Sequence, residues 1–142
     1  MEPFSISASI LTILSAGGQI LRDLSKIINL GWAPDVLLAL NNEVVDLKIT
    51  INNIDSFLQE QDQKANSACL TSIANALQRT KTTLLELEQI IAYGLTKVSK
   101  DGQSLKIDRS VWMREERNIH SIKDSIRDNR IVLTQALGLF NS

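Results

Sequence analysis

Apolar residues recur along this chain at alternating spacings of three and four, the period of one helical face. In a central stretch the set is Leu37, Leu40, Val44, Leu47, Ile51, Ile54 and Leu58. A second set is Leu70, Ile73, Leu77, Thr80, Leu84, Leu87 and Ile91, with Thr80 its one polar member. A third holds Trp112, Ile119, Ile122, Ile126, Leu133 and Ala136, interrupted in phase by Glu115 and Asn129. Stripes this narrow face a shared core, as the helices of an antiparallel four-helix bundle do.

The N-terminal segment follows a different pattern. Ile6, Ile10, Ile13, Gly17, Ile20, Leu24 and Ile27 form one stripe, and Leu11, Leu14, Leu21 and Ile28 form a second beside it. From Pro3 to Leu21, nineteen residues pass without a charge, interrupted only by Ser, Thr, Gln and the pair Gly17-Gly18. This approaches the roughly 20 apolar residues of a membrane span. A helix so apolar belongs deep among its neighbours or under a partner. Two adjacent glycines, each costing roughly 0.5–1 kcal/mol relative to Ala in a helix, mark a close helix contact or a kink, with a functional hinge as the lesser reading.

The breaks between segments follow from turn chemistry. Gly31 and Pro34 end the first helix and open the second. Residues 59–66 make a polar corner, and 99–104, with Asp101-Gly102, a turn-rich loop. Asp108 or Ser110 caps the last helix, and Gly138 fits near its end. The pattern predicts helices over 5–29, 34–60, 65–97 and 109–138, forming an all-α single domain over 1–142.

Composition narrows the function classes. The 142 residues suffice for one domain with a sizeable core. The net charge of −1 marks neither a nucleic-acid nor a membrane partner. Residues 1–71 hold four Lys/Arg against eight Asp/Glu, and residues 72–142 eleven against eight, so the halves are weakly opposite in sign. The single cysteine, Cys69, permits no internal disulfide, which favours a reducing compartment. The only early charge is Glu2, and the first cation is Arg22, after the apolar run, so the N-terminus lacks the positive start of a signal peptide.

Enzyme chemistry finds little to use. His120 stands between Glu116 and Asp124 at helical spacing, which reads as a solvated face with ion pairs rather than a metal site. Cys69 flanks a core stripe and reads as a buried thiol rather than the partner of His120 in nucleophilic catalysis. Gly17-Gly18 lacks the flanking pattern of a phosphate loop. Lys97, Lys100, Lys106, Arg109, Arg114 and Arg117 gather around the last loop, interleaved with Asp101, Asp108, Glu115 and Glu116. That is a solvated face by default and a surface for anionic headgroups as the lesser reading. Nucleic-acid binding wants a cleaner basic stripe with aromatics. No cofactor, metal or catalytic residue is expected.

The opening Met-Glu-Pro-Phe-Ser-Ile-Ser-Ala-Ser-Ile resembles the start of the fungal N-terminal domain of STAND proteins, which begins Met-Asp-Pro-Leu-Ser-Ile and continues into a small-residue apolar helix. Leu40-Asn-Asn-Glu-Val-Val-Asp-Leu47 is similar to that family's second helix. Val111-Trp112, Ile119, Ile122 and the ending Asn129-Arg-Ile-Val-Leu-Thr-Gln-Ala-Leu137 are similar to its last. Glu2 and Phe4 depart conservatively from the pattern. The resemblance covers essentially the whole chain.

It implies a four-helix signalling domain of the HeLo and HeLo-like group, standing at the front of fungal NOD-like receptors ahead of a nucleotide-binding module or ankyrin-type repeats. In that wider group, which includes heterokaryon incompatibility proteins and the executioner domain of the mixed-lineage kinase-like necroptosis protein, domains associate on activation. Their N-terminal region then engages membrane in programmed cell death. Carried to this chain, the membrane-active or self-association segment comprises Phe4, Ile6, Ile10, Leu11, Ile13, Leu14, Gly17, Gly18, Ile20 and Leu21. The implied partners are a second copy or a related helical domain, together with anionic membrane lipid. The implied location is the cytoplasm, with recruitment to the plasma membrane on activation. An interaction or dimerisation scaffold without membrane activity is the alternative.

Overall fold

Pro3 supplies a pre-set φ for a first helical turn, and the Ile/Leu stripe behind it propagates the helix. In a computed structural model this gives α1 over Pro3–Ile28, running unbroken through Gly17 and Gly18. It is followed by α2 (Asp35–Glu60), α3 (Ser67–Tyr93), strands β1 (Thr96–Val98) and β2 (Leu105–Ile107), and α4 (Arg109–Asn141). The structure describes residues 3–31, 34–60, 67–98, 102 and 105–141, with side chains left out at 3–5, 67, 93, 96–98, 105 and 139–141. Residues 61–66 of the predicted polar corner lie outside the described residues, whereas Gln59 and Glu60 still belong to α2.

The protein is all-helical apart from one short hairpin. The four helices pack around a single core, α1 against α2 and α3, and α4 against α2 and α3. Ile6, Ile10, Ile13, Ile20, Leu24 and Ile27 enter it from α1, and Leu37, Leu40, Val44, Leu47, Ile51 and Ile54 from α2. From α3 come Ile73, Leu77, Leu84, Leu87 and Ile91, and from α4 Trp112, Ile119, Ile122, Ile126 and Leu133. Leu58 and Leu70, expected in the core, are half-buried at its margin. Each fully buried Ile or Leu contributes roughly 1.5–3 kcal/mol, so the heptad stripes carry the fold.

Two polar residues sit inside this core, and each is satisfied. The Thr80 hydroxyl donates to the Ala76 carbonyl one turn earlier, at 2.7 Å. Asn129 is buried, and its Oδ1 accepts from Arg79 Nε of α3 at 3.2 Å. Glu115, the other in-phase interruption, is half-buried at the edge.

The helix ends have identifiable causes. Gly31 adopts φ = 89°, a left-handed conformation that terminates α1 without the penalty a Cβ would bring. The Pro34 carbonyl accepts from Leu37 N at 2.9 Å and opens α2. Asp108 caps α4: its Oδ1 accepts from the Ser110 hydroxyl at 2.8 Å and from Val111 N at 3.4 Å. Gly138 lies within α4 instead of ending it, since that helix continues to Asn141.

The third helix ends at Tyr93, four residues before the predicted limit of 97. Gly94 follows, and the chain turns into β1, which pairs antiparallel with β2 through Thr96↔Ile107, Lys97↔Lys106 and Val98↔Leu105. The alternation Thr96-Lys97-Val98 and Leu105-Lys106-Ile107 is a two-residue period that a helical reading of this stretch overlooks. A backbone bond from Asp108 N to Leu95 O, 2.8 Å, ties the hairpin base to the start of α4.

Ile13 is fully buried, so Ile13→Glu puts an unpaired charge into the core and lowers the thermal midpoint sharply, through a loss of roughly 3 kcal/mol or more. A circular-dichroism melt checks this; an unchanged midpoint contradicts the burial.

Candidate functional site

The apolar front segment divides by face. Ile6, Ile10, Ile13, Gly17 and Ile20 are buried against the bundle. Leu14, Gly18 and Leu21 are half-buried, and Leu11 is 68% exposed. Phe4 lies in α1, with its side chain outside the described set. Among the described side chains, the segment therefore presents its isoleucine stripe and Gly17 inward and Ser7, Ala8, Leu11 and Ser15 outward, Leu11 being the large apolar group of that outer face.

Leu11 lines an open groove between α1 and α3. Thr12, Ser15, Ala16 and Gln19 line its α1 side, Leu85 and Glu88 its α3 side, and Arg22 closes one end. Leu85 is also exposed. Arg22 Nη2 donates to Gln19 Oε1 at 2.8 Å, while Gln19 Nε2 donates to Asp23 Oδ1 at 3.0 Å. This relay along α1 fixes the first charges that follow the uncharged stretch.

On its other flank α1 meets α2 through the two glycines. The position that a Cβ on Gly17 would take lies 3.3 Å from Lys48 Cγ and 3.8 Å from Val44 Cγ1. The glycine lets the Lys48 stem lie against α1, burying methylenes while the ammonium reaches outward. The Gly17-Gly18 step is thus a close helix contact in an unbroken helix.

The remaining sequence candidates are placed as follows. His120, Glu116 and Asp124 are exposed on α4, and Asp124 pairs with Lys123 at 3.6 Å and Arg127 at 3.4 Å. Among the described residues, no group of three or more His, Cys, Asp or Glu is placed to hold a metal. Cys69 is half-buried rather than buried, and lines a shallow recess with Val132, Gln135 and Ala136 of α4. That recess lies twelve residues along α4 from His120, about 18 Å at 1.5 Å per residue, so Cys69 and His120 are not brought together. Lys106, Arg109, Arg114 and Arg117 are exposed; Lys100 lies outside the described residues, and so does the Lys97 side chain. Trp112 is buried, in line with its core phase. Among the described residues, no helix is long and apolar enough to cross a membrane.

Three features escaped the sequence reading. Lys48 covers the glycine step, Arg79 bonds the buried Asn129, and Arg130 Nε of α4 meets Glu43 Oε2 of α2 at 3.3 Å. Their partners lie 31, 50 and 87 positions apart, beyond any local pattern. A fourth was readable but unread: Leu38, Val45 and Ile49 are exposed on α2, at spacings of seven and four that place them on one outer face.

Comparison with protein-family models, curated proteins and solved structures returned no match for this chain.

Glu43 and Arg130 are each largely shielded, with side-chain exposures of 18% and 25%. A double-mutant cycle with Glu43→Gln and Arg130→Met gives a coupling of about 1 kcal/mol in chemical denaturation. Zero coupling shows the pair to be a contact without energetic weight.

Proposed function

We propose that this domain is a non-enzymatic signalling module of the kind found at the front of fungal NOD-like receptors. In this reading it is an antiparallel bundle that self-associates or meets a related helical domain, and its first helix engages anionic membrane in programmed cell death. The observation that carries the reading is the two-faced front helix: uncharged as far as Leu21, with its isoleucines sheltered among neighbouring helices and Leu11 held in solvent. The sheltered side chains lose little by passing from a protein core to lipid, and no charge between Pro3 and Leu21 has to be buried on the way. Serine and threonine hydroxyls are tolerable there because they bond within the helix; Thr12 Oγ1 already donates to the Ala8 carbonyl at 3.0 Å.

Two cross-helix contacts support the antiparallel arrangement. Arg79 meets Asn129 and Thr83 approaches Ser125, so positions advance along α3 as they retreat along α4. The short connection from Ile28 to Asp35 favours the same relation between α1 and α2.

A scaffold without membrane activity is the second reading. It is favoured by the exposed aliphatic row Leu38, Val45 and Ile49 on α2.

Dye release from phosphatidylserine-containing vesicles tests the leading reading. The full chain releases dye, and Leu11→Asp, which alters an exposed position and spares the core, reduces release at least tenfold with an unchanged melt. Vesicles that stay intact and fail to co-sediment with the full chain remove the membrane role. Sedimentation velocity over a concentration series tests self-association: mass rises with concentration, and Ile49→Asp suppresses the rise if the α2 row is the contact. A monomer throughout removes self-association from both readings.

A further inference from the structure

We propose that Lys48 and Arg22 form an oxyanion seat over Gly18, suited to inorganic phosphate or a phosphate monoester. Lys48 Nζ lies 3.7 Å, and an Arg22 terminal nitrogen 3.8 Å, from the single point that a Cβ on Gly18 would occupy. Two cations from different helices converge on a spot that carries no side chain. Among the described residues neither forms an ion pair.

The surrounding carboxylates are accounted for. Asp23, next to Arg22, accepts from Gln19 Nε2 at 3.0 Å. Asp55, two turns beyond Lys48 on α2, accepts from Gln59 Nε2 at 3.2 Å. Glu88 lines the α1–α3 groove with Arg22 and does not pair with it. Both cations thus lie within 4 Å of one point, and among the described residues neither has a carboxylate oxygen within 4.0 Å.

Both cations are held in place. Gln19 takes Nη2 of Arg22, which leaves Nη1 as the nitrogen aimed over Gly18. The Lys48 stem is fixed by its packing on Gly17. An anion arriving here meets donors already ordered, so little entropy is lost in assembling them. A tetrahedral oxyanion offers separate oxygens to the two nitrogens at charge-assisted distances of roughly 2.8 Å. A Cβ at Gly18 would lie at ordinary contact distance from both nitrogens, so alanine there partly covers them from an arriving anion.

The experiment titrates sodium phosphate into the full chain at low ionic strength, where exposed charges are least screened, and follows the Gly17 and Gly18 amide signals by NMR. Sodium chloride at matched ionic strength is the reference. Saturable shifts with phosphate and none with chloride are expected. Lys48→Met, Arg22→Gln and Gly18→Ala each weaken the affinity at least tenfold while the thermal midpoint is kept. Gly18→Ala tests access to the two nitrogens at no cost to the helix, which alanine favours. No saturable shift, or shifts that survive all three substitutions, overturns the seat.

A second arm adds phosphatidylcholine vesicles with and without phosphatidic acid. Co-sedimentation that needs phosphatidic acid and falls with Lys48→Met identifies a lipid headgroup as the source. Phosphate binding without vesicle binding identifies a soluble phosphate. The phosphate titration judges the seat alone, so loss of the membrane reading and loss of the seat are separate results.

Discussion

The constraint on which the structure depends is the need to keep α1's aliphatic face out of water. Six isoleucines and leucines of one helix are almost completely buried, and they can be covered only from two sides at once, by α2 and α3. The other helices follow from that demand. α4 closes the opposite side against the same two helices, and its stripe completes a core made mainly of Ile and Leu. Aliphatic packing of this kind is strong and shape-dependent but carries little directional information.

Direction and register are supplied by a few polar contacts at mid-bundle. Asn129 and Arg130, adjacent on α4, reach in opposite senses, one to Arg79 of α3 and the other to Glu43 of α2. A slide of α4 by one turn would strand Asn129 in the core without its partner, a penalty of roughly 1–3 kcal/mol. The adjacent pair thus pins the helix that α1 does not hold directly. Thr80 makes no such demand, because its hydroxyl is satisfied within its own helix.

The functional proposals draw on what the core leaves over. Along its uncharged stretch α1 gives its isoleucines to the interior and keeps serine, alanine and Leu11 outside, so that outer surface is mild and close approach is easy. Charge begins abruptly at Arg22, and Lys48 arrives beside it from α2. An uncharged stretch ending at a pair of cations is a physical boundary. Apolar contact is favourable on one side of it and anion contact on the other.

The amino-acid sequence by itself determined the four helices, most of the residues that fill the core and the end set by Gly31, and narrowed the cap of α4 to Asp108 or Ser110. These depend on hydrophobic period and local backbone chemistry, which act over one or two turns. It left the β1–β2 hairpin hidden, because a three-residue alternation is too short to stand out against a helical period, although Gly94 and the Thr-Lys-Val and Leu-Lys-Ile triplets mark it in retrospect. Tertiary structure alone decided which helices are neighbours, that Leu11 rather than Leu14 or Leu21 stays in solvent, and that Cys69 is only half covered. It also decided that Lys48 lies across Gly17-Gly18 and that Glu43 finds Arg130. Each of these depends on how one helix is rotated against another, and that rotation is set by the packing of all four stripes at once.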